Sequence, residues 1–348
     1  MRDPLAAGSV LLAVVALIGC LVLWRRGGGT VDIPWAPTRD LRLTFTFDGI
    51  AALYGLLAAA IGTAVFAYGA AYLPLHLAQA GRPARERWRF WPWMALFLVT
   101  MVGLAAAQDL IVLFVLFDLT AVCSYFLIGF DREQRATRLA ALMALLVTGI
   151  GAVAMLVGAV ILASEHGTFA IPELAAALTR GGTPGTATTA ALALIAIAAL
   201  VKSAQVPFHF WLPRAMAAPT PVSAYLHSAA MVAAGVLVIG RTYELLAVSA
   251  VVRDGLLVVG LASIAVGGVL ALTRDGFKQV LAHSTISQYG YVVVLYGIGG
   301  EHGATAAAFY VVAHAVAKSA LFLTAGAVTM ATGGRRLSDV GGLGRELP

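Results

Sequence analysis

Six side chains in this sequence place an ionisable group inside a strongly apolar run. They are Asp118 in IVLFVLFDLTAVCSYFLIGF, Lys202 in LALIAIAALVKSAQVPF, His227 in VSAYLHSAAMVAAG, Lys278 in GFKQVLAHSTISQYGY, and His314 with Lys318 in FYVVAHAVAKSALFL. A charge at mid-bilayer costs about 2.5–3.5 kcal/mol on insertion scales, so a membrane chain that keeps several puts them to use. Burial disfavours the charged form of an ionisable side chain, and an opposing charge restores it. A buried lysine that can exchange one partner for another therefore takes up and releases a proton. An acid, a lysine, a histidine, a lysine and a histidine–lysine pair on successive segments read as a proton-translocating series. His314 and Lys318, spaced i, i+4, share one helix face, and Tyr310 extends that face by one turn.

Each group is also open to a plainer reading. Asp118 and Lys202 can form a static ion pair that locks two helices. Lys278, four residues from Arg274, can snorkel to the headgroups. His283 reads as a helix-packing residue, His209 in FHFWLP as an interfacial one, and Asp109 as a loop or helix-cap carboxylate. Cys20 and Cys123 both lie in apolar runs and read as inert packing residues rather than a disulfide or metal pair. No metal and no cofactor is expected, because there is no cysteine cluster and no glycine-rich nucleotide loop in a strand–helix setting.

The elements that position these groups follow from composition. Of 348 residues, 60% are hydrophobic and 11% charged, more apolar surface than a soluble domain can hide. The expected fold class is all-α: a polytopic transmembrane helical bundle of about ten spans, one of them discontinuous, forming a single integral membrane domain over 1–348. The spans are expected near 5–24, 49–76, 91–108, 109–130, 138–163, 187–216, 219–242, 252–273, 277–298 and 304–332. The first run is too long for a signal-peptide core and reads as a retained span. The runs are continuous rather than alternating, which excludes an outer-membrane barrel. A short surface helix is expected around IPELAAAL in the 164–186 loop.

The segment 187–216 is too long for one plain helix and is interrupted near Pro207. Proline removes a backbone donor and clashes with the carbonyl four residues earlier. Irregular backbone at membrane depth is tolerated only where protein or water satisfies it, and discontinuous helices with a charge at the break are typical of ion-transport sites. The formal charge of +6 is mostly loop arginine and reports orientation rather than nucleic-acid binding. Fourteen cations fall on the face carrying the N-terminus, 79–90, 131–138, 214, 274–278 and 333–348, and seven on the other. That bias places the N-terminus and the 333–348 tail in the cytoplasm of a multi-pass cell-membrane protein. The first loop, with Arg25, Arg26, Arg39 and Arg42, runs against it.

The motifs themselves resemble a known family. VKSAQVPFHFWLPRAMAAPTPVSAYLHSAAMVAAGV is similar to the signature of the antiporter-like subunits shared by respiratory complex I and Mrp-type cation/proton antiporters. LFDLTAVCSYFLIGF, KQVLAHSTISQYGYV, HAVAKSALFLTAGAV and VGGLGRELP resemble further motifs of the family in the same order. The resemblance covers about 45–348, with the motifs in about 105–348. It is strongest to the Mrp A-type subunit, then to the L-type subunit of complex I. It implies that Asp118 stands where the family has its buried carboxylate and Lys202 where it has the broken-helix lysine. Lys278 then matches the central-axis lysine, and His227, His314 and Lys318 continue a polar axis that conducts protons. It also implies partners: other membrane subunits of an antiporter or of an NADH:quinone oxidoreductase-type complex, the lipid bilayer, and protons, with Na⁺ open.

Three departures qualify what the resemblance implies. Asp118 is one methylene shorter than the family's usual Glu, so a contact to Lys202 needs closer helices or a bridging water. Ala233 stands where A-type relatives often have Lys, which leaves His227 as the relay. The chain reads as shortened at both ends relative to the family. The alternative functions are a non-conducting membrane assembly subunit, or the membrane subunit of a hydrogenase-linked pump or inorganic-carbon uptake system. Any redox chemistry would then belong to other chains.

Overall fold

Long runs of alanine, leucine and valine in a medium without water leave the backbone one way to satisfy its own polar groups, the α-helix. The computed structural model describes residues 3–36 and 41–345. Arg2 and Arg39, both counted in the charge comparison, and residues 346–348 of the last motif lie outside the described residues. The helices are α1 (Pro4–Arg25), α2 (Gly49–Gln79), α3 (Trp91–Ala106), α4 (Leu110–Ile128), α5 (Arg135–His166), α6 (Ile171–Gly181) and α7 (Thr186–Lys202). They continue with α8 (Trp211–Ala215), α9 (Thr220–Ser228), α10 (Met231–Arg241), α11 (Tyr243–Leu246), α12 (Ala250–Leu272), α13 (Phe277–Ile298) and α14 (Gly300–Thr332).

Eight segments among the described residues are long and apolar enough to cross a membrane, with α9 and α10 counted as one. The other two expected spans, α7 and α13, are present as helices. The first stops after 17 residues at the expected break. The second carries Lys278, Gln279, His283, Ser284, Thr285, Ser287 and Gln288 within its first twelve residues, which lowers its hydropathy. The surface helix expected around IPELAAAL is α6. Asp109 caps α4, accepting from the amides of Ile111 (2.7 Å) and Val112 (3.2 Å). Cys20 and Cys123 are free and buried.

The span made of α9 and α10 lies at the centre, with every residue from 218 to 242 buried. Its neighbours reach it through glycines. A Cβ at Gly235 would fall 2.5 Å from the Ala199 carbonyl oxygen and 2.6 Å from the Ser203 amide, so α10 meets α7 backbone to backbone. Gly326 of α14 likewise leaves room for Thr220 and the Tyr68 hydroxyl.

One element was not expected. Thr30–Ala36 (β1) and Leu41–Thr46 (β2) form an antiparallel hairpin, in register from Thr30↔Thr46 to Pro34↔Arg42 and shifted by one residue at Ala36↔Leu41. Its second strand continues into the α3–α4 turn, where the Gln108 amide donates to the Thr44 carbonyl (3.0 Å). That turn in turn meets the start of α6, with the Leu110 amide donating to the Phe169 carbonyl (3.0 Å).

The loops gather on two faces, as the alternation of spans requires. On the first face, Arg87 pairs with Asp3 (3.1 Å) and Arg82 with Asp131 (2.5 Å), and the Ser338 hydroxyl donates to Asp275 (2.5 Å). On the second face lie the hairpin, α6 and a clamp centred on Asp48. Asp48 caps α2 through the Ala51 amide (2.9 Å) and accepts from Gln108 Nε2 (3.1 Å). It also accepts both guanidinium nitrogens of Arg241, which donates in addition to the Ala105 carbonyl. Three separate segments are tied there by one carboxylate.

Candidate functional site

The break after Lys202 is held by a set of backbone and side-chain hydrogen bonds. The Ser203 amide returns to the Ala199 carbonyl, the Ala204 amide to Val201 and the Gln205 amide to Leu200, which closes α7 as a Schellman-type end. Ala204 occupies the left-handed position (φ 54°) that such an end demands, at a cost of about 1–2 kcal/mol for a residue other than glycine. Side chains satisfy the rest. Trp211 Nε1 donates to the Val201 carbonyl (3.1 Å), Gln205 Nε2 to the Ser203 carbonyl (2.9 Å), and the Val206 amide donates to Ser263 Oγ (2.9 Å). Gln205 Nε2 also makes a longer bond, 3.4 Å, to the Ile286 carbonyl of α13. The short turn at 208–210 and α8 then bring the chain back to the first face.

Lys202 is fully buried at this break. Its Nζ donates to the Phe117 carbonyl of α4 (2.9 Å) and lies 4.5 Å from the centroid of the Phe117 ring, a cation–π distance. Asp118 is the next residue along α4. It forms no ion pair with Lys202 among the described residues. The half-buried Asp118 side chain instead lines a cleft of about 480 Å³ between α4 and α5, with Phe114, Leu145, Leu146, Gly149, Ile150, Ala152 and Val153. The lysine is therefore held by neutral groups beside the acid rather than locked to it.

A second, smaller interruption separates α9 from α10 at Ala229 and Ala230. His227 lies in the last turn of α9, fully buried, and neither ring nitrogen has a hydrogen-bond partner among the described residues. Its ring centroid is 6.2 Å from that of Phe322 of α14. The Ser228 carbonyl beside it accepts from the Tyr289 hydroxyl of α13 (3.1 Å), and the Tyr289 ring centroid stands 4.5 Å from that of His314. His314 is also buried, its ring set against the His227 backbone. One turn on, Lys318 donates to the Leu281 carbonyl (3.2 Å) and to Ser284 Oγ. Tyr310, one turn before His314, donates to Gln288 Oε1 (2.7 Å).

The structure thus brings His227, His314 and Lys318 into one run along α9, α13 and α14, and sets Lys202 next to the backbone that carries Asp118. Lys278 lies within electrostatic reach of His227, at the outer end of this run. It lies in the first turn of α13 near the first face, where its Nζ donates to the Ala218 carbonyl in the α8–α9 turn (2.7 Å). His283 bonds back to the Gln279 carbonyl of its own helix (2.8 Å), the packing role expected of it. Tyr289, Gln205 and Ser284 are site residues that the sequence did not single out. Ser284 and Tyr289 lie among the clustered hydroxyl and amide side chains of STISQYGY, which do not reveal their partners, and Gln205 lies in KSAQ.

The family described as NADH:quinone oxidoreductase/Mrp antiporter, TM, matches residues 107–348. A protein of Rhizobium meliloti (strain 1021), named as a probable K(+)/H(+) antiporter A/B subunit, is 37% identical in an alignment of 348 residues that covers 98% of this chain and 34% of the relative. "Putative antiporter subunit mnhA2" of Staphylococcus haemolyticus (strain JCSC1435) is 35% identical over 332 residues, covering 91% of this chain and 40% of its own. Among solved structures, the Mrp complex from Dietzia sp. DQ12-45-1b superposes with a TM-score of 0.88 at 34% identity, covering 99% of this chain and 37% of the matched one. The membrane-bound sulfane sulfur reductase, an archaeal respiratory membrane complex, shares the fold with a TM-score of 0.85 at 23% identity, over 99% of this chain and 69% of that one. The chain spans 34% and 40% of the length of these two curated relatives.

Proposed function

The chain belongs to the NADH:quinone oxidoreductase/Mrp antiporter transmembrane family, and on that footing we propose that it is a proton-translocating membrane subunit of a multi-subunit monovalent cation/proton antiporter or related respiratory complex. The observation that carries this reading is Lys202: a fully buried lysine at a helix break, held by a carbonyl and a ring one residue from a carboxylate. An ammonium held by neutral groups can lose its proton without leaving an orphaned carboxylate behind. Asp118 biases that exchange from the adjoining cleft. His227 and His314 accept protons on their buried ring nitrogens, and Tyr289 bridges the two helices that carry them. Lys318 continues the run, and Lys278 serves the first face.

On the same reading, the arginine bias makes the first face cytoplasmic, with the N-terminus and the 333–348 tail on that side. The name of the Rhizobium relative favours K⁺ as the exchanged cation, and Na⁺ is the alternative that flux measurements distinguish. The partners are the other membrane subunits of the complex, and any redox centre lies in them. The motif-bearing part, about 105–348, works as one membrane unit with the spans before it.

The test places the complete complex in proteoliposomes and measures proton and cation flux for Lys202→Ala and Asp118→Ala. Loss of flux in complexes that assemble normally is expected. Near-normal flux in both would overturn the reading and favour a role in assembly alone.

A further inference from the structure

At the first face, α2 carries Tyr68, Tyr72 and His76 at i, i+4 and i+8, so the three rings share one side of the helix. They stack: Tyr68 on Tyr72 at 5.7 Å between centroids, and Tyr72 on His76 at 5.5 Å. His76 Nε2 lies 3.1 Å from both carboxylate oxygens of Asp131, with the two side chains 21% and 12% exposed, so the pair borders solvent without facing it fully. At 1.5 Å rise per residue the ladder runs about 12 Å inward. Its inner end is the Tyr68 hydroxyl. That atom and the Thr220 methyl lie within 2.6 Å of the position a Cβ at residue 326 would take, and the Tyr72 hydroxyl hydrogen-bonds Thr220 through its side chain and backbone. Thr220 is two residues from Ala218, whose carbonyl holds Lys278. Pro74, inside the same stretch of α2, has no amide to give the Ala70 carbonyl, which leaves an acceptor beside the ladder.

The charges around the pair are few and mutually compensated. Arg82 bonds Asp131 (2.5 Å), Glu86 (2.5 Å) and, more loosely, Glu133 (3.8 Å), and Arg89 bonds Glu86 (3.3 Å). Phe130 closes the outer side of the His76 ring, 6.4 Å away, and Arg335 is the cation nearest Tyr72 from the C-terminal segment. The mechanism described above uses none of these groups.

We propose that His76 and Asp131 form a proton-collecting site on the first face, and that Tyr72, Tyr68 and Thr220 carry the proton inward to Lys278. The inference rests on the proton-translocation reading. His76 takes a proton from bulk water on one ring nitrogen and releases one from the other, with Asp131 stabilising the imidazolium between the two events. Each hydroxyl then accepts a proton and passes on its own, with water bridging the one-turn steps, until the neutral Lys278 amine is protonated. One proton moves from bulk water to the Lys278 amine, and His76, the two tyrosines and Thr220 return to their starting protonation.

The experiment measures proton flux through the complete complex in proteoliposomes between pH 6 and pH 8.5, for His76→Gln, Tyr72→Phe and, in parallel, Lys202→Ala. Glutamine keeps a donor to Asp131 and so preserves the Arg82 network, but cannot carry a proton. His76→Gln is expected to lower flux at pH 8 by about tenfold, short of the ~10²-fold lost with a positioned proton-transfer group that no water can replace. That loss shrinks at pH 6 and on adding imidazole as a mobile carrier. Tyr72→Phe keeps the stacking and lowers flux at every pH, with the thermal stability of the complex unchanged. Unaltered flux in either variant, or a His76→Gln loss that neither acid nor imidazole lessens, overturns the proposal while loss of flux in Lys202→Ala leaves the translocation reading standing. Flux that persists in Lys202→Ala removes that reading instead, and this site with it.

Discussion

The Tyr289 hydroxyl donates to the Ser228 carbonyl across the gap between α9 and α10, and the same ring faces His314. The last carbonyls of a helix have no partner within it. Here α13 supplies the donor, in a place where no solvent reaches. Tyr289→Phe keeps the ring against His314 and removes that donor alone. It is expected to destabilise the assembled complex by about 1–3 kcal/mol, the cost of a buried acceptor left unpaired. Thermal unfolding followed by intrinsic fluorescence reads the change, and an unchanged midpoint would show that the bond holds nothing.

Asp118 lines the α4–α5 cleft and is not ion-paired to Lys202. Asp118→Asn breaks no ion pair among the described residues and removes a charge from the membrane interior, so it should not destabilise the complex. Proton flux, in contrast, should fall in the same preparation. A locked ion pair would give the opposite pattern, a large loss of stability, because breaking such a pair strands a buried charge at about 3–5 kcal/mol.

The clamp on the second face predicts an asymmetry. The Arg241 side chain is 3% exposed and that of Asp48 36%. Asp48→Asn leaves the buried guanidinium without its counter-charge and should cost about 3–5 kcal/mol, even though asparagine caps α2 as well as aspartate does. Arg241→Met leaves a carboxylate that water can reach, so its loss should be about 1 kcal/mol or less. Equal losses in thermal unfolding of the two variants would contradict the exposures on which the asymmetry rests.

Asp275, in the α12–α13 turn, accepts from the hydroxyl and the amide of Ser338, and these bonds hold its carboxyl below the usual 3.8. A carboxyl lowered in the folded state stabilises above its unfolded value and ceases to do so as pH falls through its folded value. Docking of the 333–345 segment should therefore be full at about pH 6 and weaken from just below about pH 4 downward. Hydrogen exchange at Leu337 and Ser338, corrected for intrinsic rates, measures it. Protection that survives at about pH 3 would mean that the Leu337 amide's bond to the Asp275 backbone carbonyl suffices alone.

What the sequence made legible is what local chemistry decides. Twenty-residue apolar runs demand helices, Pro207 demands a break, and Asp109 before an apolar run is a cap. The hairpin escaped because its alternation, Val31, Ile33 and Trp35 outward at 58%, 49% and 57% exposure, is short beside the runs that flank it. Arg241 was counted among loop cations, since its partner Asp48 lies 193 residues away and nothing near either residue announces the other. The meeting of α4 with Lys202 was anticipated, but not which group would take the ammonium. Adjacent helix positions differ by about 100° in direction, so Phe117 and Asp118 face different neighbours. Tyr289 and Gln205 were invisible for a further reason. Their partners are main-chain carbonyls that become available only once the helices have been interrupted.

Gln205 reaches the Ile286 carbonyl and Tyr289 reaches the Ser228 carbonyl, so one flank of α13, the four residues from Ile286 to Tyr289, fastens both gaps. Turning α13 about its axis by a single residue would swing both attachments away together. The two interruptions thus share one helix as their common support.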